Sequence, residues 1–109
     1  MSSKPSILHI PIKREYFDAI LSGEKTEEYR GVSPFWISRL AKTNEKGEIV
    51  GLRQYDIIRF RNGYNADSRQ MYVQFKKIII EEFIDVPEES EHRFGFVILL
   101  GKVLRTENM

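Results

Sequence analysis

Lysine, glutamate and arginine recur at short spacing in one charged octapeptide, GEKTEEYR, residues 23–30. Glu28 and Arg30 are two residues apart, which is the side-chain repeat of a β-strand, so their carboxylate and guanidinium should share one face. Such a pair either binds a third polar group or forms a surface ion pair worth about 0–1 kcal/mol. Lys25 falls on the opposite face unless it belongs to the turn before the strand. Spacing alone leaves open whether Lys25, Glu28 and Arg30 form one site.

Aromatic residues accompany these charges. Tyr29 lies inside the octapeptide, and Trp36 follows in the segment SPFWISRL, together with Arg39. A flat anionic or heterocyclic ligand needs a ring for stacking and basic groups for phosphate, which Tyr29, Trp36 and Arg39 could supply. The alternative is a core position for Trp36, because it falls on the same helical stripe as Ile37 and Leu40.

A second group of polar residues lies in the segment YDIIRFRNGY, which covers residues 55–64. Arg59 and Arg61 have the same parity and should leave the same face of a strand, with Asn62 and Tyr64 at its end. Arginine, asparagine and tyrosine on a rigid strand that leads into a loop could bind a base or a phosphate. A solvated outer strand face is the alternative.

The first half of the chain predicts alternating strands and helices. ILHI before Pro11 is typical of a short strand, in which His9 is interpreted as a packed or capped histidine. The segment KREYFDAILSG has helical apolar spacing and ends at Gly23, a suitable left-handed residue. After the polar strand at residues 25–30, Ser33 and Pro34 indicate the cap and first turn of a second helix.

The second half is mostly extended. AKTNEKGEIVGLRQ is interpreted as a hydrophilic connection with a turn at Lys46 and Gly47. Three long segments then follow, rich in β-branched and aromatic residues: YDIIRFR, MYVQFKKIIIEEF and FGFVILLGKVL. Such long strands in a short chain are best accommodated by a sheet that curls and removes its edges. The predicted fold is α+β with a β-barrel core.

Composition narrows the function classes. The chain of 109 residues fits a single domain over residues 1–109, with tails expected at 1–6 and 105–109. It has no cysteine and only two histidines, so we expect neither a metal site nor a cofactor. No apolar run reaches the roughly 20 residues that cross a bilayer, so we expect a cytoplasmic protein without membrane contact. The oligomeric state is left open.

The charge is unevenly distributed. The formal net charge is +1, yet residues 81–93 contain six acidic residues and one arginine. The remainder of the chain is therefore basic, which suits a face for phosphates. The acidic segment is either a solvated loop or a surface for a protein partner.

Together, GEKTEEYR, SPFWISRL, YDIIRFRNGY and FVILLGKVL resemble the ASCH domain of the PUA-like superfamily, and in particular its small stand-alone bacterial and phage members. The family pattern of glycine, any residue, lysine, any two residues, glutamate, any residue and arginine is met by Gly23, Lys25, Glu28 and Arg30. The resemblance spans about residues 7–104. It implies a small β-barrel of five to six strands, two or three flanking helices, and a cleft lined by the pattern's side chains.

The resemblance also implies a ligand class. ASCH domains are generally associated with RNA binding, so RNA or a nucleotide is the expected partner, and no cofactor is expected. Some small members instead hydrolyse N4-acetylated cytidine with a lysine and a threonine three residues later. Here Lys25 keeps the lysine position, but Glu28 stands at the threonine position and would direct a water. An amidohydrolase or ribonuclease that uses Lys25 and Glu28 is therefore the alternative to a binding domain.

Overall fold

The structure is a computed structural model that describes residues 4–83 and 93–109. Within these residues the elements follow one another as β1 (Ile7–Pro11), α1 (Arg14–Ser22), β2 (Glu27–Gly31), α2 (Pro34–Leu40), β3 (Ala41–Thr43), β4 (Ile49–Leu52), β5 (Ile57–Arg61), β6 (Gln70–Glu82) and β7 (Phe94–Glu107). The protein is of the mixed α+β class, as the sequence predicts. Neither of the two helices in the described residues has the length and apolar character that crossing a bilayer requires.

The strands form two sheets. The larger one has five strands in the order β1-β5-β6-β7-β2, and β3 pairs with β4 in a separate sheet. β1 and β5 are parallel, whereas β5 with β6 and β2 with β7 are antiparallel. The chain divides into two compact units, a first unit of Met1–Thr26, Tyr55–Lys76 and Leu100–Met109 and a second unit of Glu27–Gln54 and Lys77–Leu99. That residues 1–109 act as one domain stays a prediction.

The core of the first unit is built from alternate strand residues and one face of α1. The buried side chains are Leu8, Ile10, Phe17, Ile20, Ile58, Phe60, Met71, Val73 and Phe75. Full burial of each large side chain stabilises the fold by about 1.5–3 kcal/mol. Since strand residues alternate between faces, the neighbours of these apolar residues on β1, β5 and β6 must lie on the opposite face.

Helix α1 ends where the sequence predicts. Gly23 has a φ of 88°, which glycine adopts without steric cost, and its N–H donates to the carbonyl of Ile20. The N–H of Lys25 donates to the carbonyl of Ala19 at 3.0 Å. Lys25 therefore belongs to the turn after the helix, because β2 begins only at Glu27.

The second unit joins α2 to β2 and to the β3–β4 hairpin. The Ser33 hydroxyl accepts from the N–H of Trp36, and Pro34 occupies the first helical turn, which confirms the predicted cap. Leu40 and Ala41 are buried where the helix passes into β3. Phe96, Val97 and Ile98 are consecutive and buried, so this stretch of β7 is covered on both of its faces.

The hairpin corrects the prediction of a plain hydrophilic connection. Asn44 Oδ1 accepts the N–H groups of Lys46 and Glu48, and Gly47 has a φ of 81°. The predicted turn is thus in place, but it joins two short strands. Because nearly every residue of the hairpin is exposed, turn chemistry rather than an apolar pattern specifies it, and periodicity alone missed the strands.

The carboxyl end of the chain continues the sheet. β7 runs through Glu107, three residues into the tail predicted for 105–109, and Asn108 Nδ2 donates to the carbonyl of Ser68. At the other end, the N–H of Ser6 donates to Asp56 Oδ2 at 2.8 Å, within the tail predicted for 1–6. The flexibility of both tails stays a prediction.

Candidate functional site

Parallel pairing of β1 with β5 brings three polar side chains together on one face of the first unit. His9 lies beside Arg59 and Pro11 lies beside Arg61 in the register of the two strands. Leu8, Ile10, Ile58 and Phe60 point into the core, so strand alternation directs His9, Arg59 and Arg61 away from it. The prediction that Arg59 and Arg61 share a face is confirmed.

These side chains border a pocket of about 380 Å³, which we call the basic pocket and which is lined by His9, Ile10, Pro11, Arg59, Arg61 and Tyr64. Tyr64 comes from the loop after β5 and is 84% exposed, so its ring is accessible to a ligand. Among the described residues, two guanidinium groups, one imidazole and one phenol contribute to the lining, and no carboxylate does. The basic pocket therefore favours an anion.

The two arginines are held differently. Arg59 Nε donates to Gln70 Oε1 at 2.7 Å, and Gln70 is only 3% exposed, so the guanidinium is fixed at its inner edge. Arg59 Nη1 lies 3.5 Å from His9 Nδ1. Arg61 Nε is buried and has no hydrogen-bond partner among residues 4–83 and 93–109. A buried donor without an acceptor is costly.

The charge around His9 governs its protonation. Partial desolvation by the residues around it lowers the pKa of His9 from its ordinary value of 6.5, and the neighbouring Arg59 and Arg61 lower it further. The imidazole is therefore neutral at pH 7 when the pocket holds no anion. Of the two sequence interpretations of His9, packed or capped, the packed one is wrong, because its side chain is exposed at the pocket.

This lowered pKa predicts a pH dependence of stability. Since the unfolded chain takes up a proton at His9 before the folded chain does, the free energy of unfolding should fall as the pH drops below 6.5. His9→Asn should lose less stability over the same interval, because asparagine does not titrate. Urea unfolding of both proteins at pH 7.5 and pH 5.5 checks this. An equal loss in both would contradict it.

Asn62 is occupied by contacts that brace the loop. Its Nδ2 donates to the carbonyl of Ile12 at 3.2 Å, and its Oδ1 accepts from Arg69 Nη2 at 3.2 Å. Arg69 also pairs with Asp18 at 3.0 Å and lies over the ring of Phe17. Asn62 does not line the basic pocket, and its predicted contact with a ligand stays a prediction.

The octapeptide contributes to both units. In the first unit Lys25 Nζ lies 5.5 Å from the ring centroid of Tyr16. In the second unit Arg30 Nη1 pairs with Glu28 Oε1 at 3.0 Å, and the Arg30 guanidinium lies 5.2 Å from the Trp36 ring. Glu28, Arg30 and Trp36 thus form a contact cluster. That Lys25 acts with Glu28 and Arg30 at one site stays a prediction.

Strand parity in the octapeptide follows the sequence pattern. Glu28 is 5% exposed and Tyr29 is 47% exposed, so the two point to opposite sides of β2. Glu28 Oε1 also accepts the N–H of Tyr29 at 3.0 Å. This oxygen is therefore engaged by both a guanidinium and a backbone amide, as in an ion pair that supports the fold.

Tyr29 and Arg39 are accessible on the second unit. The Tyr29 hydroxyl donates to Glu27, and this hydrogen bond, together with desolvation and nearby carboxylates, raises the pKa of Tyr29. The Arg39 guanidinium lies 3.6 Å from the ring centroid of Phe35, which packs edge-on against Trp36. Both residues remain predicted ligand contacts.

Sequence reasoning found the arginines of the basic pocket but not His9. The available signal was the placement of His9 between Leu8 and Ile10, two apolar residues that alternate around it. Among the described residues, no three histidine, aspartate or glutamate side chains are grouped closely enough to hold a metal ion. Comparison of the chain with models of protein families, with curated proteins and with solved structures finds no match in any of the three.

Proposed function

We propose that the protein is a nucleotide- or RNA-binding domain that holds a phosphate of its ligand in the basic pocket. One observation carries this proposal: two arginines, a histidine and a tyrosine line a pocket of about 380 Å³, and none of the described lining residues carries a carboxylate. Guanidinium groups match the geometry of phosphate oxygens and bind them through charge-assisted hydrogen bonds. Tyr64, at the rim, supplies a ring on which a base can stack.

Phosphate binding also explains the state of the pocket's polar groups. Arg61 lines the basic pocket, and a guanidinium group there would bind phosphate oxygens through charge-assisted hydrogen bonds. A phosphate would also favour the protonated imidazole of His9 and offset the repulsion from Arg59 and Arg61. Binding should therefore become tighter as the pH falls through the pKa of His9.

The resemblance to ASCH domains supports the same ligand class. We propose that the chain is a PUA-like barrel of this type, whose relatives are generally associated with RNA. Lys25, Glu28 and Arg30 would then be the family's pattern residues, and Tyr29, Trp36 and Arg39 would be further candidates for ligand contacts. A domain that binds RNA through the basic pocket does not require this pattern to be catalytic.

The salt dependence of binding and one variant that removes a positive charge test the proposal. If the protein contacts two phosphates of a short single-stranded RNA, a plot of the logarithm of the binding constant against the logarithm of the salt concentration should have a slope of about −1.4. Arg61→Gln should reduce the magnitude of this slope by about 0.7. We also expect Arg61→Gln to weaken binding about tenfold, because it removes a charge-assisted hydrogen bond. Fluorescence anisotropy of the labelled RNA measures both quantities.

Lys46→Gln is the matched control. It removes the same charge from an exposed position in the hairpin turn, outside the lining of the basic pocket. We expect its affinity to stay within about twofold of the unaltered protein. A salt-independent affinity, or an equal loss for Lys46→Gln and Arg61→Gln, would refute phosphate binding in the basic pocket.

A further inference from the structure

Side chains continue from the basic pocket across the same face of the first unit. Arg59 is the register partner of His9 on β1 and of Tyr72 on β6. The Arg105 guanidinium of β7 lies 4.1 Å from the centroid of the Tyr72 ring. We call His9, Arg59, Tyr72 and Arg105 the cross-strand row, since they follow one another across four neighbouring strands.

We propose that the ligand is a single-stranded nucleic acid that follows the cross-strand row, with a phosphate in the basic pocket and the adjoining base stacked on the Tyr72–Arg105 pair. This inference rests on the proposed function and specifies its ligand. It extends the binding surface to two residues, Tyr72 and Arg105, that do not line the pocket.

The Tyr72–Arg105 pair has the form of a stacking platform. Arg105 covers the Tyr72 ring, and its own side chain is 62% exposed, so the outer side of the guanidinium is accessible. Glu107 Oε1 pairs with Arg105 Nη1 at 3.1 Å and restricts its rotation. Arginine planes and tyrosine rings both stack on bases, and a guanidinium already held against a ring loses less freedom on binding.

Beside Tyr72, no large side chain of the sheet face blocks the path of a single-stranded nucleic acid. Gln74 lies across Gly101, where an added Cβ would approach Gln74 Cβ to 2.9 Å. Gly101 therefore lets the Gln74 side chain lie flat between β6 and β7. Gln74 Oε1 also accepts the N–H of Lys102 at 3.4 Å, which holds it there. Beside Tyr72 the face thus carries a flat amide, and no large side chain stands out from Gly101.

Spacing favours a nucleotide chain over an isolated phosphate. Adjacent strands are about 4.8 Å apart, so the platform on β6 and β7 lies one to two strand spacings, about 5–10 Å, from Arg59 on β5. A sugar can bridge a phosphate and its base over that distance. A phosphorylated peptide would supply the phosphate as well, but it offers no base for the platform.

The experiment compares Tyr72→Leu with Tyr16→Leu. Tyr16 is another partly exposed tyrosine of the first unit with a cation over its ring, so it matches Tyr72 in chemistry but lies on α1. We expect Tyr72→Leu to weaken binding of a short oligouridylate or oligothymidylate about tenfold, and Tyr16→Leu to change it less than twofold. Tyr72→Phe, which keeps the ring, should bind like the unaltered protein.

Inorganic phosphate separates this inference from the function on which it rests. Its binding, followed through the NMR signal of the His9 ring, should be the same in Tyr72→Leu and the unaltered protein. If Arg105→Gln and Tyr72→Leu both keep full oligonucleotide affinity while Arg61→Gln loses it, the nucleic acid does not follow the cross-strand row. Phosphate binding in the basic pocket would then still be supported. If neither phosphate nor the oligonucleotide binds, the proposed function is overturned as well. If a phosphopeptide binds more tightly than the oligonucleotide, only the proposed nucleic-acid path along the cross-strand row is overturned.

Discussion

Glu28→Ala is expected to lower the free energy of unfolding by about 3 kcal/mol. The carboxylate is nearly inaccessible and pairs with Arg30, whose side chain is only 19% exposed. Without Glu28 the guanidinium keeps its cost of desolvation but loses its carboxylate partner. The contact with the Trp36 ring cannot replace that partner, because a cation–π contact is worth about 0.5–2 kcal/mol. Urea unfolding followed by circular dichroism gives the difference.

Two further variants make this result specific. Glu27→Ala removes a carboxylate from the same strand, one residue away and more exposed, and should cost less than about 1 kcal/mol. Replacing Glu28 and Arg30 together by leucine removes both charges and should recover much of the stability lost in Glu28→Ala. If the single and double variants were equally destabilised, the ion pair would not be the cause.

This prediction also bears on the octapeptide as a ligand site. An ion pair that supports the fold and a pair that binds a ligand respond differently to Lys25→Ala. Lys25 contacts Tyr16 at a partly exposed position, so its removal should have little effect on stability. A loss of RNA affinity in Lys25→Ala at full stability would favour the cleft implied by the ASCH resemblance.

Local rules in the sequence predicted much of the arrangement. The two-residue repeat placed Glu28 opposite Tyr29 and put Arg59 and Arg61 on one face, because alternation follows from backbone geometry alone. The end of α1 at Gly23 was equally predictable from the sequence, since few residues other than glycine adopt its φ of 88°. These features depend on residues near one another in the chain.

Features that depend on pairing between distant segments were not predictable from one sequence. His9 reaches Arg59 only because β1 pairs in parallel with β5, and Arg105 reaches Tyr72 only because β7 is the neighbour of β6. Neither register has a local signature, since a shift by two residues keeps the same alternation, and the choice of neighbouring strand has no local signature either. The basic pocket could therefore be predicted from Arg59 and Arg61, whereas the cross-strand row required the sheet order.

The double variant Arg59→Gln with Arg61→Gln should weaken RNA binding about 100-fold, as two charge-assisted contacts of about tenfold each are lost together. Glutamine keeps a donor that can reach toward the groups around each arginine, which limits the cost to the fold. Coincident circular dichroism spectra and thermal melts would verify that the variant is folded. The expected 100-fold loss is the product of the two single effects. Because Arg59 and Arg61 are neighbours on one strand face, their effects can be coupled, so this product is only a first approximation.

Lys42→Gln with Lys46→Gln removes the same two charges from the exposed hairpin and serves as the control for net charge. If RNA were held only by the overall positive charge of the chain, both double variants would lose affinity equally and the salt slope would fall by the same amount. A specific pocket instead predicts a large loss for the arginine pair and almost none for the lysine pair. The ratio of the two dissociation constants therefore measures how much of the binding belongs to the basic pocket.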